Sequence, residues 1–503
     1  MSPPSVQAKA RNGRAAPLRD KSGSAAAHGW RILKPGHNCW RVAKARRAAV
    51  LVDAADYYRH LYSALCRAQR SITILGWDFD GRIKLCPDRG PQHARELGLF
   101  LRDLVEDRPD LEIRILVWSV AVLHAPGNSK ALLVGDDWQE HPRIHLHLDT
   151  KHPFYASHHQ KVVVIDDAVA FAGGIDLTVK RWDASSHLAE NAFRVTPDGE
   201  AYEPVHDLQM AVEGEAAQAL GELARRRWQV ALGETLPRIE PATGGWPDDL
   251  EPDFTDVPVA ISRTAPGWGH TTPVAEQAHL TADAIAAARH TIYIEAQYLS
   301  STLVRNALAR RLMKHDGPEI FMVVTPISHG FFETKVLGVN RDRIMRRLGR
   351  LPGAHRLRFH YPVVPPAKPG AEDCQVLIHA KVMIVDDDLL RIGSGNLSNR
   401  SMGLDTECDL AIEATDDATR RTIAGVRARL LGEHLGVAPE RFTEALAARG
   451  SLIAAIEALN GGQRSLRRFE PGDGPTRMML GTRIVDPPRP WEPLWFLSRK
   501  GRA

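Results

Sequence analysis

Four β-rich segments of the chain recur further along in the same order, and this internal duplication constrains the fold more than any other feature. The run around Ile72–Leu75 has a counterpart around Ile292–Glu295, and LEIRILVWS (111–119) matches PEIFMVVTP (318–326). RIHLHLD (143–149) matches RLRFHYP (356–362), and SHHQKVVVIDD (157–167) matches LIHAKVMIVDD (377–387). The offsets are 220, 207, 213 and 220 residues, as expected of a duplication with loop insertions. One such pair of β-branched runs could arise by chance; four in constant order could not. Amphipathic helical patterns at 54–69, 93–106, 213–231 and 273–289 lie between the strands, so each copy reads as an α/β unit.

The chain has 503 residues, more than one hydrophobic core usually serves. The expected organisation is a disordered basic arm and lead-in over 1–47, a first domain over 48–233 and a linker over 234–257. A second domain follows over 258–433, then a helical, basic and aromatic tail over 434–503. The linker is assigned on its richness in Pro, Gly and acid. With 44% hydrophobic and 25% charged residues, the composition excludes collagen-like, disulfide-scaffold and wholly disordered chains. The longest apolar runs are strand-sized and broken by charge, unlike a membrane-spanning helix.

A duplicated domain places equivalent residues around a pseudo-twofold axis, so a shared site should use pairs of identical groups. The residues that repeat most closely are polar, which core packing does not require. His159-x-Lys161, Asp166 and Gly173-Gly174 in the first copy answer to His379-x-Lys381, Asp386 and Gly393-Ser394-Gly395-Asn396 in the second. His and Lys two apart on a strand share one face, and the apolar VVVI and VMIV that follow anchor it. A glycine-rich turn lets backbone approach phosphate oxygens. One His-x-Lys would be surface decoration; its repetition at constant spacing is the signal. His145, His147 and His158 read as ordinary strand residues, because no third metal ligand stands out.

These two His-x-Lys-x4-Asp motifs, with GWDFD, GGIDLTVKRWD and GSGNLSNRSMGLDTE, resemble the phospholipase D superfamily over residues 48 to 433. The resemblance implies two mixed β-sheets flanked by helices, with the active site at the pseudo-twofold interface. It implies phosphodiester cleavage through a phosphohistidine, without cofactor or metal. His159 would then be the nucleophile and His379 the general acid, later the base. Lys161 and Lys381 would supply fixed cations for the charge that grows on the phosphate, and Asn396, Ser394 and Gly395 neutral donors. Asp207 and Glu407 stand at the starts of matching strands and, by resemblance, orient the catalytic histidines. Asp166 and Asp386 resemble residues that brace the fold. Asp176 stands where the second copy has Asn396, so the half-sites are not equivalent and Asp176 is no phosphate ligand.

The leading expectation is hydrolysis of a phospholipid to phosphatidic acid and a head-group alcohol. Transphosphatidylation of the cardiolipin-synthase kind and metal-independent nuclease action are the alternatives, with a degenerate scaffold set aside because both motifs are intact. Residues 1–50 carry eleven basic groups and one acidic, and 464–503 carry nine and four. The chain's net charge of +4 therefore leaves the body at −11, which disfavours nucleic acid as a partner. The basic arm, and the tail with Trp491, Trp495 and Phe496, suit peripheral contact with an anionic membrane surface. Five scattered cysteines (Cys39, Cys66, Cys86, Cys374, Cys408) without a C-x-x-C pair, and no apolar signal core, point to the cytoplasm. Head-group preference and oligomeric state leave no mark in the sequence.

Overall fold

The computed structural model describes residues 31–119, 137–153, 155–241, 244–267, 271–326, 337–474 and 482–489. The arm up to residue 30 and Trp491, Trp495 and Phe496 lie outside the described residues. Short, largely apolar runs such as SITILG and TIYIEA become strands because helices cover the sheet and both strand faces are buried.

The first half contains β1 (Arg41–Val52), β2 (Ser71–Gly76), β3 (Glu112–Trp118), β4 (Ile144–Asp149), β5 (Val162–Ile165), β6 (Val169–Gly173), β7 (Val205–His206) and β8 (Leu208–Gly214). The second contains β9 (Phe254–Ala265), β10 (Val274–Ala275), β11 (Thr291–Ala296), β12 (Glu319–Val324), β13 (Leu357–Val364), β14 (Cys374–Gln375) and β15 (Leu377–Ile378). It continues with β16 (Lys381–Val385), β17 (Leu389–Gly393), β18 (Glu407–Glu413) and β19 (Ser465–Arg468). Strand pairings run β4-β3-β2-β5-β6-β8-β1 and then, across β1–β9, β9-β18-β17-β16-β11-β12-β13. The order reads the same from either end. Register repeats too: Ile72 faces Ile165 as Ile292 faces Val385.

The expected helices occur as Asp53–Leu65, Leu97–Asp107, Glu215–Leu232 and Glu276–Ala287. The expected boundaries at 48 and 258 fall inside β1 and β9, because the two halves share one ladder there rather than meeting through a tether. Four cations in RVAKARRAAVLV hide β1 from a search for apolar alternation. The stretch read as a linker is packed: Trp246 is buried and its indole N–H donates to Leu250 O at 2.8 Å. The boundary at 433 falls within the helix Asp417–Leu435, and β19 from the expected tail pairs with β13.

One core is built from both halves, with Val162, Val164, Ala170 and Met210 on one side and Val382, Ile384, Ile392 and Leu410 on the other. Two further cores lie under the outer helices, one per half. No helix among the described residues is long and apolar enough to cross a membrane.

Candidate active site

The two His-x-Lys motifs lead into β5 and β16, and each is tied to the opposite half by backbone. Ile378 of β15 pairs with His206 of β7 in parallel, and His379 N–H donates to His206 O at 2.8 Å. The pseudo-symmetric bridge joins His158 to Thr406, with His159 N–H donating to Thr406 O at 3.1 Å. One residue beyond each acceptor stands a carboxylate. As a result the histidine–carboxylate pairs cross the axis: His159 Nδ1 lies 2.9 Å from Glu407 Oε2, and His379 Nδ1 lies 2.5 Å from Asp207 Oδ2. Neither half holds a complete pair.

An Nδ1–H donated to a carboxylate leaves the Nε2 lone pair available for attack or proton exchange. The His159 side chain is 15% exposed while Glu407 is fully buried, so the ring meets solvent and its anchor does not. Burial, then Lys161 and Lys381, holds His159 well below the usual imidazole range. Burial, then Lys381, Arg181 and Lys161, does the same to His379. Burial also pushes Asp207 up to about 6, and burial with Asp405 nearby pushes Glu407 up to about 8.

The lysines differ. Lys161 Nζ sits 3.1 Å from Asp176 Oδ2, and Asp176 Oδ1 accepts the Trp77 N–H at 2.8 Å. Lys381 Nζ lies 2.9 Å from His379 Nδ1 and also bonds His379 O. Burial brings Lys381 down to about 8, aided by Lys161 and Arg181. The carboxylate at position 176 thus neutralises one lysine, a contact that Asn396 could not supply to the other.

The glycine-rich turns serve the protein's own carboxylates. A Cβ on Gly174 would fall 2.1 Å from Asp207 Oδ1, so only glycine lets that turn close over Asp207. Two donors expected at phosphate meet carboxylates of the protein. Ser394 is fully buried and its hydroxyl donates to Glu407 Oε2 at 2.5 Å; the Gly395 N–H donates to Asp409 Oδ1 at 2.9 Å. Both donors are engaged within the protein. Asn396 is buried, with an Oδ1 that has no hydrogen-bond partner.

Asp166 takes the backbone N–H groups of Gln69, Arg70 and Ser71 at 2.7–2.8 Å, and Asp386 those of Arg289, His290 and Thr291 at 2.6–2.8 Å. Each fastens the start of the first central strand of its half. His158 is buried with Nδ1 3.3 Å from Asp149 Oδ2, and His147 packs edge-on to Trp228.

Two neighbours escaped the sequence reading. Arg181, in the segment after Gly174, acts electrostatically on His379, Lys381 and Asp207. Trp77 meets the His159 ring edge-on at 6.5 Å and stacks on Trp118 at 5.8 Å, forming an aromatic wall beside the imidazole. Their signal was proximity to the repeated motifs, which spacing alone does not weigh.

The family model described as phospholipase D matches residues 64–240, and the one described as cardiolipin synthase, PLD-like domain, matches residues 281–423. Phospholipase D1 of Saccharomyces cerevisiae is 25% identical over 494 residues, covering 77% of this chain and 28% of the relative. Phospholipase D A of Dictyostelium discoideum is 24% identical over 461 residues, covering 77% of this chain and 35% of the relative. The chain thus spans roughly a third of the length of these curated relatives. Among solved structures, the phosphatidylserine synthase of Haemophilus influenzae Rd KW20 shares the fold, with a TM-score of 0.51 at 13% identity, over 78% of this chain and 88% of that one. Two matched domains, a mixed sheet that reads alike from both ends and a site on the axis between them lead to one conclusion: the chain belongs to the phospholipase D superfamily.

Proposed function

We propose that the chain is a phosphodiester hydrolase and transferase that moves a phosphatidyl group from a phospholipid to water through a phosphohistidine. The observation that carries this reading is the crossed pairing of His159 with Glu407 and His379 with Asp207 beside two buried lysines. Each motif thus offers an imidazole oriented by a carboxylate beside a buried lysine, the nucleophile and the acid that displacement at phosphorus requires.

In this reading Nε2 of His159 attacks phosphorus, the P–O bond to the head group breaks, and His379 gives its Nε2 proton to the departing oxygen. Neutral His379 then takes a proton from water, whose oxygen displaces His159 and yields phosphatidic acid. Lys161 and Lys381 balance the charge on the phosphate oxygens. His379 must carry a proton at the first step, although burial and three cations hold it far below the usual range. The substrate's own negative charge offsets those cations, so arrival of the phosphodiester itself loads the acid.

An alcohol in place of water gives transphosphatidylation, a reading favoured by the cardiolipin synthase description of the model matching residues 281–423. The aromatic wall at Trp77 and Trp118 suits an apolar substrate body, and the net −11 of the chain between its basic ends disfavours a polyanion. We place the protein in the cytoplasm at the inner membrane surface, on the support of its basic arm and aromatic tail. Product analysis over a phospholipid panel, with and without a primary alcohol, tests the reading. Phosphatidic acid, diverted to a phosphatidyl alcohol, is expected; cleavage of DNA with phospholipids untouched would replace it with the nuclease alternative.

A further inference from the structure

Behind His379 lies a buried cluster that the transfer chemistry does not use. Asp53, His187 and His206 come from the first half and Glu433 from the second, and their ligand atoms all lie within 4.8 Å of one another. His206 Nδ1 is 3.0 Å from Asp53 Oδ1 and 2.9 Å from Glu433 Oε1. His187 Nε2 is 3.0 Å from Glu433 Oε1 and 3.5 Å from Asp53 Oδ2. Three of the side chains are wholly buried and Glu433 is 7% exposed.

These short distances are not all hydrogen bonds. Asp53 Oδ1 and His206 Nδ1 are both buried without a hydrogen-bond partner, although only 3.0 Å separates them. The two atoms are close without hydrogen-bond geometry between them, as two ligands of one ion are. We propose that this cluster is a structural divalent-cation site of the zinc type, ligated by Asp53, His187 Nε2, His206 Nδ1 and Glu433.

Three further observations support the assignment. Zinc bonds of about 2.0–2.1 Å place tetrahedral ligand atoms about 3.3 Å apart; the four histidine–carboxylate separations here run from 2.9 to 3.5 Å, and all ligand atoms lie within 4.8 Å of one another. Each histidine has its other ring nitrogen on a carboxylate: His187 Nδ1 is 2.8 Å from Asp183 Oδ2, and His206 Nε2 is 2.9 Å from Glu295 Oε2. That outer arrangement fixes tautomer and ring direction for metal-binding imidazoles. Glu295 is held in turn by the Tyr293 hydroxyl at 2.5 Å and by His434 at 3.0 Å, and Asp183 by Arg194 at 3.1 Å.

The charge also fits. Asp53, Asp183, Glu295 and Glu433 face two guanidiniums, those of Arg194 and the nearby Arg464. Two negative charges remain, which one divalent ion balances with both histidines neutral. The competing arrangement protonates both histidines, but it leaves Asp53 Oδ1 and His206 Nδ1 without hydrogen-bond geometry. All four ligands are protein side chains, so the site is closed and structural rather than catalytic.

Its consequence is mechanical. His206 precedes Asp207, its carbonyl holds His379 N–H, and Asp53 N–H donates to Asp207 O at 2.8 Å. An ion here would fasten the segment carrying Asp207 and clamp the two halves together. The proposal is independent of which phosphodiester the enzyme cleaves.

The test is elemental analysis of the full chain purified from zinc-supplemented cells, beside His187→Gln and Glu433→Gln. About one zinc per chain is expected in the wild type and under a tenth of that in either variant. Wild type stripped with a strong chelator should melt at a lower temperature and recover with ZnCl2 but not MgCl2. Folded variants that keep a full equivalent of zinc would overturn the site. So would folded wild type that holds no divalent ion and melts at the same temperature with and without ZnCl2. Should the variants not fold, the wild-type titration decides.

Discussion

His159 Nδ1 lies 2.9 Å from Glu407 Oε2, a carboxylate 248 positions away in the opposite half of the chain. Its partner pair, His379 with Asp207, crosses in the other direction. Each half therefore orients the other's imidazole. Glu407→Gln keeps the shape but removes the charge that stabilises an imidazolium and selects the tautomer. It should lower kcat by at least ~100-fold with little change in KM. Steady-state kinetics on a soluble short-chain substrate, with circular dichroism as a fold control, checks this.

Ser394 tunes that carboxylate. Burial pushes Glu407 up to about 8, and the Ser394 hydroxyl opposes the rise by donating to the anion. Productive His159 needs Glu407 ionised, so activity should increase with pH through the Glu407 value. Ser394→Ala withdraws a donor from the charged form and moves that value higher. The acid limb of the kcat/KM profile should therefore shift to higher pH. Activity lost at neutrality should return in alkali. An unmoved limb would count against the role of Glu407.

Substrate loading of the acid has a calorimetric signature. In the anion-free site His379 is held far below neutrality by burial and by Lys381, Arg181 and Lys161. A bound phosphate anion counters those cations and raises the imidazole toward its ordinary range. Binding of inorganic phosphate at pH 7 should take up protons, seen as a dependence of binding enthalpy on buffer ionisation enthalpy. His379→Ala should abolish most of that uptake.

The proposed mechanism makes the two histidines one unit. His159→Ala and His379→Ala should each lower turnover at least ~1,000-fold, and the double variant should be little worse than either. Losses that multiply would mean that the rings act independently.

The repeated segments, the strand positions and the paired motifs were legible in the sequence because apolar runs and polar repeats survive duplication together. The crossing was not. Asp207 stands just before β8 and Glu407 opens β18, and nothing in that spacing says which histidine each meets. Only the β7–β15 ladder and the His158–Thr406 bridge decide it. The partners of Ser394 and Gly395 were not legible, because a Gly-Ser-Gly turn looks alike whether its donors face a ligand or, as here, Glu407 and Asp409. β1 was hidden by its cations, and β9 by the acidic, proline-containing lead-in. The cluster of Asp53, His187, His206 and Glu433 is assembled from four distant positions, none remarkable by itself in a linear reading.

In the proposed mechanism a phosphoryl group passes through an imidazole on the axis between the halves. The direct measurement is rapid quenching of turnover at alkaline pH, where phosphohistidine survives, followed by mass analysis of the peptides. A phosphatidyl or phosphoryl adduct on His159 is predicted, formed within the first turnover and absent from His159→Ala. Turnover without an adduct on either His159 or His379 would rule out the phosphohistidine route.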